Sequence, residues 1–216
     1  MKTVLITGAT SGIGKATAYE LAKKNFRLVL CGRRKNRLIE IEKELSDFTQ
    51  VTSLCFDVRE QEIIEQRLSS LPEDFCQIDV LINNAGNAHG LDPVETGVID
   101  DWDAMMDINV KGLLYVSRAI IPQMTDRKSG HIINIGSSAG KEVYPKGAVY
   151  CASKHAVVAL TTGMRMDLNP YGIKVTSINP GLVETEFSKV RFKGGKQADN
   201  VYKLSLIHIS EPTRQQ

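Results

Sequence analysis

The string Thr7-Gly8-Ala9-Thr10-Ser11-Gly12-Ile13-Gly14 constrains this chain more than any other, because its glycines follow a short apolar run and lead into a segment of helical period. A strand, a tight turn and a helix in that order make a phosphate site. Gly8 permits the turn, Gly12 lets backbone approach a pyrophosphate, and Gly14 lets the helix pack closely on a sheet. The N–H groups of Ala9 to Gly14, exposed at the helix start, then face phosphate charge. The spacing GxxxGxG also fits an ordinary glycine-rich turn, so its surroundings decide between the two. A second string, Asn83-Asn84-Ala85-Gly86, follows the fourth predicted strand, where polar side chains can fix a loop and small residues can admit a cofactor.

The rest of the pattern agrees. Thr3 to Thr7, Phe26 to Cys31, Val51 to Phe56, Ile78 to Ile82, His131 to Gly136 and Ile173 to Ile178 read as strands. Between them Ile13 to Lys24, Lys35 to Leu45, Glu60 to Leu71, Trp102 to Met124 and Tyr150 to Asn169 read as helices. Strands alternating with helices predict an α/β fold of repeated βαβ units around a parallel sheet. Within Trp102 to Met124 the apolar face formed by Trp102, Met105, Met106, Leu113, Val116 and Ile120 serves either core packing or a subunit interface.

With 216 residues, 42% hydrophobic, the chain suits one domain, and a net charge of +2 argues against nucleic acid or a membrane surface as partner. A small-molecule substrate is expected instead. Cys31, Cys55, Cys76 and Cys151 are scattered, as are His89, His131, His155 and His208, so neither a disulfide framework nor a metal site is expected, and a cytoplasmic setting suits them. The last residues, Leu204 to Arg214, break the pattern and resemble the read-through translation of a transposase-end sequencing adapter. A single domain is therefore expected over 1–203, with 204–216 a non-native tail and the natural chain continuing beyond Lys203.

At the end of the second strand, where an NAD enzyme would place an acidic residue on the ribose 2′-hydroxyl, the string is Cys31-Gly32-Arg33-Arg34. Arg33 and Arg34 can grip a 2′-phosphate instead, through charge-assisted hydrogen bonds of about 1.5–3 kcal/mol each. NADP is the cofactor this predicts. The competing account is a solvated basic face of Arg33, Arg34, Lys35 and Arg37.

Tyr150 and Lys154 are four residues apart near the start of a predicted helix and so project from one face, one turn apart. A tyrosine hydroxyl titrates at about 10 and is a poor base at neutral pH unless a cation stabilises its anion; Lys154 supplies one. In the reductive direction Tyr150 is a general acid. Ser137, or its neighbour Ser138, can hydrogen-bond the substrate oxygen after the fifth strand. Asn109 interrupts a helical pattern and either holds a water linking Lys154 to solvent or marks a local irregularity.

Taken together, TGATSGIG, NNAG, Asn109, Ser137 and YxxxK stand in the order and approximate spacing of the short-chain dehydrogenase/reductase family, which the chain resembles from Met1 to Lys203. The resemblance implies a catalytic tetrad of Asn109, Ser137, Tyr150 and Lys154, the thirteen-position step from Ser137 to Tyr150 favouring Ser137 over Ser138. It implies that Asp57 and Val58 contact adenine, that Lys154 also binds the nicotinamide ribose, and that Pro180, Gly181, Val183 and Thr185 hold the carboxamide. It also implies a Rossmann-type doubly wound parallel sheet in a three-layer αβα arrangement, whose final helix and seventh strand this chain lacks, and a homo-oligomer formed through the two long helices: a tetramer at full length, at most a dimer as given.

GHIINIGSSAG and the loop PGLVETEFSKVRFKG from Pro180 to Gly194 are similar to the branch of NADP-dependent 3-hydroxy acid dehydrogenases acting on serine and allo-threonine. Such substrates carry a carboxylate, for which Arg191 and Lys193 are candidates, unless both are solvated or meet another subunit. The alternatives are a non-catalytic NADP-binding sensor or scaffold, or an inactive truncated fragment.

Overall fold

The computed structural model describes residues 1–194, so the expected tail at 204–216 lies outside the described residues. Six strands form one parallel sheet in the order β3-β2-β1-β4-β5-β6. They are β1 (Thr3–Thr7), β2 (Arg27–Gly32), β3 (Val51–Cys55), β4 (Val80–Asn83), β5 (His131–Ile135) and β6 (Lys174–Ile178). The helices are α1 (Gly12–Ala22), α2 (Lys35–Leu45), α3 (Gln61–Ser69), α4 (Ile99–Met106), α5 (Leu113–Asp126), α6 (Ala148–Leu168) and the short α7 (Phe187–Arg191). This is the doubly wound α/β fold.

Alternation along β1 and β2 fills two cores. Val4, Ile6, Leu28 and Leu30 pack on one face against Ala18 and Ala22 of α1 and Leu38, Ile41 and Leu45 of α2. Leu5 and Val29 pack on the other, against Ile64 of α3 and Val116, Ile120 and Met124 of α5. Strands covered on both faces read as continuous apolar runs, which explains why β1 is buried at all five positions. The apolar face of Trp102 to Met124 is therefore mainly core: Met105, Leu113, Val116 and Ile120 are buried, while Trp102 is half-buried and Met106 is exposed.

The single helix predicted over Trp102 to Met124 is corrected in one respect. It begins at Ile99 and is divided by a π-helical segment, Asp107–Gly112, between α4 and α5. The apolar steps on either side survive the extra residue of a π turn, so periodicity does not reveal it.

Chain order reverses beside β1, which pairs with β2 on one side and β4 on the other. The loops leaving β1 and β4 diverge at that point and open a crevice above the carboxyl ends of the strands. Their closeness leaves no room for a side chain at Gly8: its φ is +65°, and an added Cβ would stand 2.9 Å from the Ala85 Cα. Gly8→Ala therefore combines a left-handed backbone penalty with a clash against backbone, and is expected to lower unfolding free energy by at least about 2 kcal/mol. Denaturant midpoints measure this; an unchanged midpoint contradicts it.

Candidate active site

The crevice is a cavity of about 680 Å³ running from Gly8, Gly12 and Arg34 at one end to Ser137, Tyr150 and Arg191 at the other. Two loops form its floor. The Asn84 side-chain amide donates to the Thr7 carbonyl at 2.9 Å and the Gly8 carbonyl at 3.2 Å, while the Asn84 and Ala85 N–H groups donate to the Thr7 hydroxyl at 3.0 Å each. Gly12, with φ +53°, lies under the loop after β6: its missing Cβ would meet the Thr185 Cβ at 3.2 Å. The N-cap residue of α1, Ser11, makes no side-chain cap hydrogen bond, and Ser11, Gly12 and Ile13 at the start of that helix line the cavity.

Thr10, Ser11, Ile13, Arg33, Asp57, Val58, Pro180, Gly181 and Val183 also line the cavity. Ala9 and Gly14 stand behind its wall. The Ala9 N–H is bound to the Cys31 carbonyl at 3.0 Å, and a Cβ on Gly14 would come within 2.5 Å of the Gly8 carbonyl oxygen, so both shape the turn from the protein side.

The two arginines after β2 differ. Arg34 is the built one: Nε and Nη2 donate to the Thr10 hydroxyl at 3.0 and 2.8 Å, Nη2 also to Ser11 at 2.7 Å, and Nη1 to Glu186 at 2.9 Å. Arg33 turns outward and reaches Asp57 at 3.4 Å. Burial works to raise the Asp57 carboxyl, but hydrogen bonds from Arg59 and the Arg33 charge outweigh it and hold it below its ordinary range.

At the other end, α6 presents Tyr150 and buries Lys154 behind it. Ser137, after β5, is the serine that acts to lower the Tyr150 hydroxyl, and it accepts the Ala139 N–H at 3.1 Å, whereas Ser138 opens a 3₁₀ turn. Geometry favours Ser137.

The Lys154 side chain is buried one turn along α6 from Tyr150. The ammonium donates to the Ile135 carbonyl at 3.2 Å and lies 5.9 Å from the Tyr150 ring centre. Burial raises Tyr150 above its ordinary value; Ser137 and the Arg191 charge oppose it, and Tyr144 and Cys151 add to it. Burial also depresses Lys154, to about 8. Both groups are thus biased toward their neutral forms.

Asn109 lies in the π-helical segment with its amide fully engaged. Its Oδ1 accepts the Asn87 N–H at 2.8 Å, and its Nδ2 donates to the Asn87 carbonyl at 2.9 Å and to the Ser153 hydroxyl at 3.0 Å. Ser153 donates in turn to the Tyr150 carbonyl at 2.7 Å. Asn109 therefore ties the loop after β4 to the helix that carries Tyr150. Gly86 is what makes this fit, since a Cβ there would lie 3.2 Å from Asn109 Oδ1 and 3.5 Å from Lys154 Nζ.

Arg191, at the end of α7, is not a solvated loop charge. Its Nε donates to the Gly90 carbonyl and its Nη1 to the Tyr144 hydroxyl, each at 3.0 Å, and its guanidinium carbon lies 5.5 Å from the Tyr150 ring centre. Lys193 turns to Asp101 at 3.0 Å and leaves the site. Phe187 closes the same end, 5.8 Å from Tyr150 between ring centres.

A model of the short chain dehydrogenase family matches residues 2–195. The chain belongs to that family. An NADP-dependent 3-hydroxy acid dehydrogenase of Escherichia coli (strain K12) is 45% identical over 210 residues, spanning 96% of this chain and 84% of that protein. One from Schizosaccharomyces pombe is 47% identical over 208 residues, 94% of this chain and 80% of the other. A solved structure described as the closed form of a serine dehydrogenase complexed with NADP+ aligns with a TM-score of 0.87 at 42% identity, covering 97% of this chain and 82% of that one.

In this short-chain dehydrogenase, sequence reasoning missed Glu186, Tyr144, Ser153 and Asn87. Each works across a long gap in the chain, Arg34 to Glu186 spanning 152 positions, so no local pattern reports them. Among the described residues no three potential metal ligands cluster, and no helix is long and apolar enough to cross a membrane.

The Lys154 environment generates a stability test. The unfolded lysine keeps its proton up to 10.5 while the folded one releases it at about 8, so between those values the unfolded state binds more protons and stability rises with pH. Below about 8 both states are charged and the full penalty of burying the ammonium remains. Lys154→Met should remove a pH-linked gain on the order of 1–3 kcal/mol from the denaturation profile; parallel profiles for the two proteins would contradict the depressed value.

Proposed function

We propose that this short-chain dehydrogenase uses NADP(H) to interconvert the 3-hydroxyl of a small 3-hydroxy acid, of the serine, allo-threonine or 3-hydroxypropionate type, and the matching carbonyl. As a family member it is an oxidoreductase acting on CH–OH groups. The observation that carries the finer reading is Arg191. It places a fixed cation beside the Tyr150 ring, the distance at which a carboxylate near a reacting hydroxyl would meet it.

The residues fit a dinucleotide. Side-chain-free backbone at Gly8 and Gly12, the uncapped start of α1 and a cavity of about 680 Å³ suit a pyrophosphate and its two nucleosides. Arg34, braced on Thr10 and Ser11 with Arg33 nearby and no acid at the end of β2, supports a 2′-phosphate at the adenosine end. Asp57 and Val58 would flank adenine, and Pro180, Gly181, Val183 and Thr185 the nicotinamide end. The cofactor, when bound, supplies hydride transfer.

The chain's own residues handle the proton. A Tyr150 hydroxyl raised by burial is neutral at ordinary pH, so it is poised to protonate a carbonyl oxygen as an acid. Oxidation demands the opposite step, and the Ser137 hydrogen bond and the Arg191 charge are what favour the anion. Ser137 also donates toward the oxygen where charge develops. Lys154, deprotonating at about 8, can exchange a proton near Tyr150 and would hold the nicotinamide ribose of a bound cofactor, and Asn109 positions the helix that holds both. Exposed Leu114 on α5 and Met166 on α6 support a homo-oligomer assembled through these helices.

Replacing Arg191 separates the substrate classes. Arg191→Ala is expected to lower kcat/KM at least tenfold for serine or 3-hydroxypropionate, about the 1.5–3 kcal/mol of a charged hydrogen bond, and to leave an uncharged alcohol much less affected. Equal losses on both would contradict carboxylate recognition.

A further inference from the structure

Glu186 lines the cofactor cavity yet belongs to the loop over the substrate, one residue before α7. Its Oε2 accepts from Arg34 Nη1 at 2.9 Å, and both its oxygens accept from Arg37 Nη1 at 2.9 Å. The carboxylate thus occupies the one edge of Arg34 not already committed to Thr10 and Ser11. Arg37 and Arg34 together hold Glu186 well below the usual carboxylate range, so it is anionic wherever the enzyme works.

We propose that Glu186 is a cofactor-specificity residue: its carboxylate stands in for the cofactor's 2′-phosphate on Arg34 and Arg37 and must yield them when that phosphate binds. The inference rests on the reading of Arg34 as the 2′-phosphate ligand. Two anions on one guanidinium repel at short range, and the phosphate, with the higher charge and three acceptor oxygens, is the stronger claimant. Ligands without a 2′-phosphate leave the carboxylate in place and face no such competition. Glu186 therefore weakens NADP(H) specifically, narrowing its advantage over NAD(H).

Calorimetric binding of 2′,5′-ADP and of 5′-AMP tests this without turnover, on the wild-type protein, Glu186→Gln and Arg34→Ala. Glu186→Gln should tighten 2′,5′-ADP about three- to tenfold, the range expected for two partly exposed ion pairs, while 5′-AMP changes less than about twofold. Unchanged or weaker 2′,5′-ADP binding overturns the proposal. Arg34→Ala distinguishes the two levels. If it weakens 2′,5′-ADP selectively while Glu186→Gln has no effect, only the Glu186 inference fails; if it weakens both ligands equally, the 2′-phosphate reading of Arg34 fails and the inference with it.

Discussion

The Asn84 amide is the interaction on which the rest of the site depends. By bonding the Thr7 and Gly8 carbonyls it joins the first loop of one half of the sheet to the first loop of the other, at the point where strand order reverses. A doubly wound sheet always leaves a crevice there. What is particular here is how tightly the two loops are held: Gly8 and Gly14 leave no space for a Cβ, so the turn cannot relax away from Asn84. The helix start of α1 is held open toward the cavity as a result.

A second clamp acts on the same β4 loop from its other end. Asn109 takes both backbone groups of Asn87 and passes the connection through Ser153 to the Tyr150 carbonyl. The π-helical segment is the local distortion that lets a residue of the α4–α5 rod reach both places. The cleft and the helix that carries Tyr150 and Lys154 are thereby parts of one hydrogen-bonded frame, while Arg191 and Glu186 lie on the separate segment after β6.

The sequence made the sheet, the glycine-rich turn and the Tyr150–Lys154 face legible because each depends on residues within a turn or two of one another. Predicted strand limits fall within two residues of those observed, the largest difference being β4, which begins at Val80 rather than Ile78. The limits of local reading are equally physical. Spacing places Lys154 one turn from Tyr150, but the balance of burial and charge at Tyr150 is set by Ser137, Tyr144, Cys151 and Arg191, and all but Cys151 reach it from other segments. Likewise Arg33 and Arg34 look equivalent as neighbours, and only the contacts with Thr10, Ser11 and Glu186 set Arg34 apart. Arg191 was open between solvent and site until Gly90 and Tyr144 fixed it.

The central claim is that these residues form a catalytic centre rather than a cofactor-binding scaffold. The direct measurement is reduction of NADP+ by 3-hydroxy acids, followed by the absorbance of the reduced nicotinamide, for the wild-type protein and Tyr150→Phe, alongside calorimetric binding of the cofactor to each. The account predicts turnover by the wild type and a loss of at least about a hundredfold in Tyr150→Phe with cofactor affinity kept, as removal of a general acid–base group requires. Cofactor binding without turnover in the wild type, or turnover undiminished by Tyr150→Phe, would contradict it.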